Sequence, residues 1–229
     1  MNIKIISSMA VLAGLLLSSH AHAAPAYGPK LPERNQFHLG FQSHTVFERE
    51  LYHGHGEMRS QQQFLLITYG ITDWLSLDLK AGGGDIEQEN DSGSEFKYPT
   101  YLAGGYGFRI KLLDKENTRG VFGFQHISAH PRHIVVNGVK HKAVLDDWQF
   151  SFLISHQLGK FEPYAGVRWS RMDHIHWADN VRKRVRSDLD KSTGAILGFN
   201  LYLKDNVWLN VEGNAFDTEA LAAGINFHF

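Results

Sequence analysis

The chain closes on "ALAAGINFHF", residues 220–229. Leu221, Ala223, Ile225, Phe227 and Phe229 make one apolar row, and Ala222, Gly224, Asn226 and His228 make a second row that is small or polar. Side chains two residues apart share a face of a β-strand, so this is a strand with one apolar face, and it stops on an aromatic residue with no polar tail behind it.

The same alternation recurs toward the amino terminus, while helical spacing of apolar residues is hard to find. Val207, Leu209 and Val211 alternate with Trp208, Asn210 and Glu212; Ala195, Leu197, Phe199, Leu201 and Leu203 form another row. Trp148, Phe150, Phe152 and Ile154 alternate with Gln149 and Ser151, and Leu75, Leu77, Leu79 and Ala81 with Ser76, Asp78 and Lys80. Ten segments of this kind are centred on residues 36–47, 58–70, 74–84, 98–112, 119–130, 146–158, 162–172, 192–203, 207–216 and 220–229. An even number returns both chain ends to one side of an up-and-down sheet. The connections alternate as well: tight turns near Asp73, Asp114, Gly159 and Lys204, and between them the longer "RELYHGHGE", "DIEQENDSGSEFK", "PRHIVVNGVKHKA" and "DHIHWADNVRKRVRSDLDK". Only the hairpin at Asp217-Thr218-Glu219 departs from the pattern. Two tight hairpins carry Tyr before the turn and Trp after it, Tyr69 with Trp74 and Tyr202 with Trp208, which is the expectation for an interfacial aromatic belt.

Residues 1–23 read as a secretory signal peptide, with Lys4, the apolar run Ile5–Leu17 and the small-residue site Ala21-His22-Ala23. Removing them leaves 22 basic and 24 acidic side chains, a formal charge of 22 − 24 = −2, which argues against nucleic acid as a partner. There is no cysteine, so disulfides, thiolate metal sites, a cysteine nucleophile and a lipidated amino-terminal cysteine are excluded. Residues 24–34, broken by Pro25, Pro29 and Pro32, are expected to form an irregular periplasmic segment, and residues 35–229 a single sheet.

Alternation leaves open which row is wet, since a soluble lipocalin-like barrel and a membrane barrel invert the faces. The non-apolar rows hold Asp78, Lys80, Arg109, Lys111, Arg168 and Glu212 among glycines such as Gly105, Gly107, Gly194, Gly198 and Gly224, a mixture suited to a crowded polar interior. Ten residues at about 3.3 Å each, tilted about 40°, rise about 25 Å, the height of an outer-membrane apolar band. Together with the polarised loops and the terminal Leu221-x-Ala223-x-Ile225-x-Phe227-x-Phe229, these features resemble the small bacterial outer-membrane β-barrels over essentially the whole mature chain. The resemblance implies that the terminal alternating strand with its last aromatic is the signal read by the barrel-assembly machinery.

Candidate chemistry sits near the long loops. His53, His55, His130, His133, His141, His174 and His176 could supply a zinc or copper half-site, but spacing without convergence is weak evidence, solvated loop histidines are the preferred reading, and no metal or cofactor is assigned. Ten-stranded barrels resemble the omptin proteases, and Asp85, Asp146, Asp147 and the Asp173-His174-Ile175-His176 run could bring an acid and a base together at the rim; the omptin motif itself is not reproduced. A lipid A-modifying hydrolase would need Ser and His near the bilayer surface. Ser155 and His156 point to opposite faces, whereas Ser128 shares a face with His126 and His130 but lacks a visible orienting group. The basic run Arg182–Arg186 could meet lipopolysaccharide phosphates, or simply pair with the acidic "DIEQENDSGSE" loop.

The expectation is therefore an all-β, antiparallel, up-and-down transmembrane barrel of ten strands, eight being the alternative, in the outer membrane. Its expected role is structural, surface-binding or narrow-pore, as a monomer in contact with outer-membrane lipid and lipopolysaccharide; an outer-membrane enzyme and a soluble periplasmic binding barrel are the alternatives.

Overall fold

A computed structural model describes residues 25–52, 55–89, 93 and 95–229; the signal-peptide reading and His53 fall outside them. Among the described residues the chain forms twelve strands and no helix: β1 (Phe37–Glu50), β2 (Glu57–Thr72), β3 (Leu75–Glu89), β4 (Glu95–Lys115), β5 (Thr118–His130), β6 (Ile134–Val136), β7 (Val139–His156), β8 (Phe161–Ala178), β9 (Val181–Arg186), β10 (Thr193–Lys204), β11 (Val207–Ala215) and β12 (Glu219–His228). Ten of them form a closed antiparallel wall in the order β1-β2-β3-β4-β5-β7-β8-β10-β11-β12, and β12 returns to β1. At the seam Phe41 lies opposite Ile225 and Thr45 opposite Leu221. The seam ends on Phe229 itself, whose N–H donates to Phe37 O at 3.0 Å while Phe37 N–H donates to Phe229 O at 3.3 Å. Closure removes every sheet edge from the wall, which lets strands stand in lipid.

The two remaining strands are the ends of hairpins that rise beyond the wall. β6 pairs with the first residues of β7 across Asn137-Gly138, both at positive φ (51° and 81°), as a two-residue hairpin turn requires. β9 pairs with the far end of β8. Two stretches read as long loops are thus β-hairpins. β7 and β8 carry the barrel ladder upward, from Ser155 opposite Tyr164 to His141 opposite Ala178.

The alternation sorts the side chains as expected. On the outside Phe41, Leu79, Phe150, Ile154, Val167 and Leu221 are 42 to 63 % exposed, and on the inside Asp78, Lys80, Arg109, Arg168 and Glu212 are at most 4 % exposed. In the terminal strand Leu221 and Phe229 are exposed while Ala222 is fully buried. Apolar residues also gather inside, but toward the long-loop end, where Val46, Met58, Ile86, Tyr98, Ile127, Leu145 and Met172 pack together. The lower lumen is therefore polar, and the upper lumen sets this apolar cluster beside buried polar side chains such as His44, Arg49 and Gln62.

The aromatic-belt expectation holds for one hairpin only. Trp74 is 53 % exposed in its turn, but Trp208 is 4 % exposed and points inward, as does Tyr202. Strand phase puts Trp208 there, in the inward row of Asn210 and Glu212, and the Lys30 ammonium fills the space beside it, 4.1 Å from the Trp208 ring centre and 4.6 Å from that of Tyr202.

Candidate functional site

Lys30 belongs to the segment expected outside the barrel. Residues 25–33 instead enter the lumen from the tight-turn end, and the inward polar rows hold them. Arg109 on β4 does most: Nε and one terminal nitrogen grip Asp78 of β3 at 3.0 and 2.8 Å, and the other terminal nitrogen donates to the carbonyls of Tyr27 (3.2 Å), Gly28 (2.8 Å) and Lys30 (2.8 Å). One guanidinium fork thus ties the wall to the strap. Pro25 O accepts from Gln125 Nε2 at 2.6 Å and Lys80 Nζ at 3.3 Å, and the Lys80 ammonium lies 4.3 Å from the Tyr27 ring centre. Ala26 N–H donates to Glu212 Oε1 at 2.6 Å, and Tyr164 O–H donates to the other carboxylate oxygen at 2.9 Å. Two glycines make this possible. Gly28 sits at φ +74°, and a side-chain carbon at Gly198 would lie 2.4 Å from the Tyr164 ring.

Around the strap the lumen is filled with paired charges. Glu162 accepts from Arg119 (2.8 Å), Ser155 (2.8 Å), Asn200 (3.0 Å) and Tyr202 (2.6 Å). Higher up, Asp217 turns inward from the β11–β12 connection and accepts from Arg168 at 2.8 Å and Ser170 at 2.7 Å, with Arg49 at 3.5 Å. Arg49 also bonds Ser170, Ser187 and Thr218. The short hairpin on the long-loop side therefore folds into the lumen as a lid. Two lumen cavities, beside His44 and Asp147 and beside Tyr27 and Gln125, hold about 10 Å³ each, room for about one water. A larger concavity of about 720 Å³ lies across β11, β12, β1, β2 and β3, lined by outward residues such as Phe41, Leu65 and Ile225 together with inward Gln42, Phe64 and Asn210.

At the rim, the structure rearranges the candidate residues. Asp173 is fully buried but lies on the opposite face of β8 from His174 and His176, held by Arg171 (3.0 Å), Arg184 and Arg186 (4.0 Å). The basic run thus neutralises an aspartate, and no Asp173–histidine dyad forms. The acidic stretch pairs elsewhere, Glu89 with Arg59 and Glu87 with Lys97. Asp85 accepts from Gln61 N–H at 2.5 Å. His141 Nδ1 and His176 Nε2 meet at 2.9 Å with ring planes 6° apart and ring centres 5.1 Å apart, so the imidazoles lie end to end in one hydrogen bond. Among the described residues no three His, Asp or Glu side chains group as metal ligands.

One candidate gains a partner that its sequence neighbourhood did not offer. Ser128 Oγ lies 2.5 Å from Asp146 Oδ1 and 2.9 Å from His130 Nε2, and His126 Nε2 is 3.7 Å from the same carboxylate oxygen. Asp146 comes from β7, eighteen residues on, and stands directly opposite Ser128 in the β5–β7 ladder. The sequence signal was its own alternation, in which Asp146, Trp148, Phe150 and Phe152 share a face.

A closed antiparallel wall of ten strands, apolar outside and polar inside, is a transmembrane up-and-down β-barrel of the outer-membrane kind. No protein-family model and no curated protein matches the chain. Among solved structures, it resembles the translocator domain of the autotransporter NalP from Neisseria meningitidis, at 11 % identity and TM-score 0.47, covering 99 % of this chain and 97 % of that one. It also resembles an outer membrane channel from Pseudomonas putida F1, at 10 % identity and TM-score 0.47 over 91 % and 100 %. The outer membrane protease OmpT from Escherichia coli matches at 14 % identity and TM-score 0.40 over 90 % and 99 %. These likenesses bear on shape alone.

Proposed function

We propose that the protein is a structural and surface-binding barrel of the outer membrane that is closed to solutes at rest. The observation that carries this is the strap: Arg109 holds three of its carbonyls against a lumen already filled by paired charges. Ten strands leave little more room than side chains need, and here the amino-terminal segment takes it. A narrow pore is the state reached when the strap leaves. The terminal row Leu221, Ala223, Ile225, Phe227 and Phe229 acts in this reading as the assembly signal, and lipopolysaccharide and outer-membrane lipid are the surroundings the barrel contacts.

Planar-bilayer recording separates closed from open. The unaltered barrel is expected to give no steady conductance, and Arg109→Ala, or deletion of residues 25–31 from the processed chain, is expected to give discrete steps. Steady conductance from the unaltered protein would overturn the closed state.

A further inference from the structure

The outward face of β4, β5 and β7 is ordered in rows. Ladder register places Gly104, Ser128 and Asp146 side by side; one row nearer the tight turns come Tyr106, His126 and Trp148, then Phe108, Phe124 and Phe150, then Ile110, Phe122 and Phe152. Three apolar rows, two of them dominated by phenylalanine and one carrying His126 between two large aromatics, thus lead up to a row bearing a hydroxyl and a carboxylate. The His126 ring centre lies 4.2 Å from that of Trp148 and 5.3 Å from that of Tyr106, and Phe124 touches Phe108 and Phe150 at 5.5 and 5.1 Å.

The height of the polar row follows from strand geometry. β5 leaves its tight turn at Thr118, and Ser128 is 128 − 118 = 10 residues further on, a rise of about 25 Å in a tilted strand, which is the far edge of the apolar band. Ser128 therefore stands where acyl chains meet headgroups on the long-loop side. Beside it Gly104 leaves the surface open, since a side-chain carbon there would touch only Lys80 O, at 3.1 Å. On the other side, next to Asp146, the β7–β8 ladder places Asp173 with its arginines, of which Arg184 is 43 % and Arg186 55 % exposed.

We propose that Ser128, His130 and Asp146, with His126, form an interfacial esterase site for an acyl ester of a phosphate-bearing amphiphile in the outer leaflet. The acyl chain lies along the Phe108, Phe124, Phe150 and Phe122 rows, the ester over the gap at Gly104, and the phosphate toward Arg184 and Arg186. Ser128 Oγ attacks the ester carbonyl carbon while its proton passes to His130 Nε2; the bond to the alcohol oxygen then breaks, and His130 returns the proton to that oxygen. Water, deprotonated in turn by His130, attacks the acyl-serine, releasing the fatty acid and restoring the hydroxyl. Asp146 carries the negative charge that stabilises the imidazolium formed at His130, and His126 Nε2 stands 3.7 Å from the same carboxylate oxygen. In the resting site the Ser128 hydroxyl donates to Asp146 Oδ1 and stands 2.9 Å from His130 Nε2; for attack the hydroxyl turns its proton from Asp146 to an unprotonated His130 Nε2.

The test uses the full refolded barrel, with heat-modifiable mobility as the folding control, since all four residues face outward. Fatty-acid release is measured by mass spectrometry from phosphatidylglycerol vesicles and, separately, from lipopolysaccharide, together with labelling by a long-chain alkyl fluorophosphonate. Release from either substrate with labelling at Ser128 supports the site, and the substrate that is cleaved identifies the lipid. Ser128→Ala should abolish release and labelling, and His130→Gln should lower kcat by about 100-fold or more. Arg184→Ala combined with Arg186→Ala should raise KM for the phosphate-bearing lipid while leaving fluorophosphonate labelling intact. A folded barrel that releases nothing from both lipids and resists the probe, or one that keeps its activity as Ser128→Ala, overturns the proposal. Conductance is untouched by either outcome, so the closed-barrel reading stands or falls separately.

Discussion

Arg109 shows how much one side chain organises. Its fork neutralises Asp78, and the two hydrogens of its third nitrogen are shared among three strap carbonyls that enter the lumen. Removing one partner of such a pair leaves the other charge buried, at a cost of about 3–5 kcal/mol. Alternation alone places Arg109 and Asp78 inside, so their shared polar surroundings were legible in the sequence, whereas which charges pair was not. That three carbonyls of the strap complete the guanidinium was not, because it depends on the path of a proline-broken segment with no periodicity. Trp208 failed for a different reason: the Tyr-turn-Trp pattern was read as a belt although the strand's own alternation sets Trp208 in the inward row with Asn210 and Glu212, where Lys30 lies against its face. At the other end, Phe229 closes the backbone ladder against Phe37 and stands 69 % exposed. Deleting it is expected to reduce the amount of barrel in the outer membrane severalfold, measured by quantitative blotting of membrane fractions. Normal levels of the truncated chain would remove the assembly role given to that residue.

Elements carry the next layer. All ten alternating segments became strands of the wall, because a strand buried on one side and facing lipid on the other cannot slip by one residue without exchanging its faces. The two hairpins beyond the wall were missed although Asn137-Gly138 between alternating residues is a strong turn signal; length and charge made the stretch look like loop. These hairpins bury histidine. His174 is fully buried, its two ring nitrogens have no partner, and burial, followed by His176 and His55, depresses its pKa to about 3. Burial and then His141 and Lys183 push that of His176 down too. The sign follows from the direction. The folded hairpin refuses a proton that the opened one takes below its ordinary pKa of about 6.5, so this stabilisation is present above that pH and is lost as pH falls toward about 3. At about 1.4 kcal/mol per pH unit for His174, the loss reaches about 2 kcal/mol by pH 5. Hydrogen exchange of the amides of residues 173–186, corrected for intrinsic rates, should show markedly weaker protection at pH 5 than at pH 7, with the difference reduced in His174→Phe. Equal protection at both pH values would contradict the buried, neutral histidine.

At the scale of the whole molecule, two inverted patterns meet: apolar side chains cover the outside through the height of a bilayer, and paired charges, joined toward the long loops by an apolar cluster, fill the inside. A soluble barrel of the same strands would have to reverse them, and the exposed row from Trp148 to Ile154 set against the buried Gln149 decides between the two. Strand number, strand direction and the inward or outward sense of each row were legible from period-two alternation and polarised loops. The closed lumen was not, because it comes from the strap and from Asp217 folding inward, contacts between residues far apart in sequence. The Ser128 row was half legible: the hydroxyl and its two histidines were visible along β5, and the carboxylate came from the neighbouring strand.

The absence of cysteine permits a direct measurement of which side faces lipid. Single cysteines placed in turn at residues 148–154 and 221–229, spin-labelled and reconstituted in lipid, report collision rates with oxygen, which concentrates in the bilayer, and with a polar nickel chelate. Oxygen accessibility is expected to peak at 150, 152, 154, 221, 223, 225 and 227 and to fall at the residues between them, with the chelate excluded from the oxygen-rich positions. Chelate accessibility at those outward positions, or the absence of a two-residue period, would contradict a barrel whose outer face is solvated by lipid.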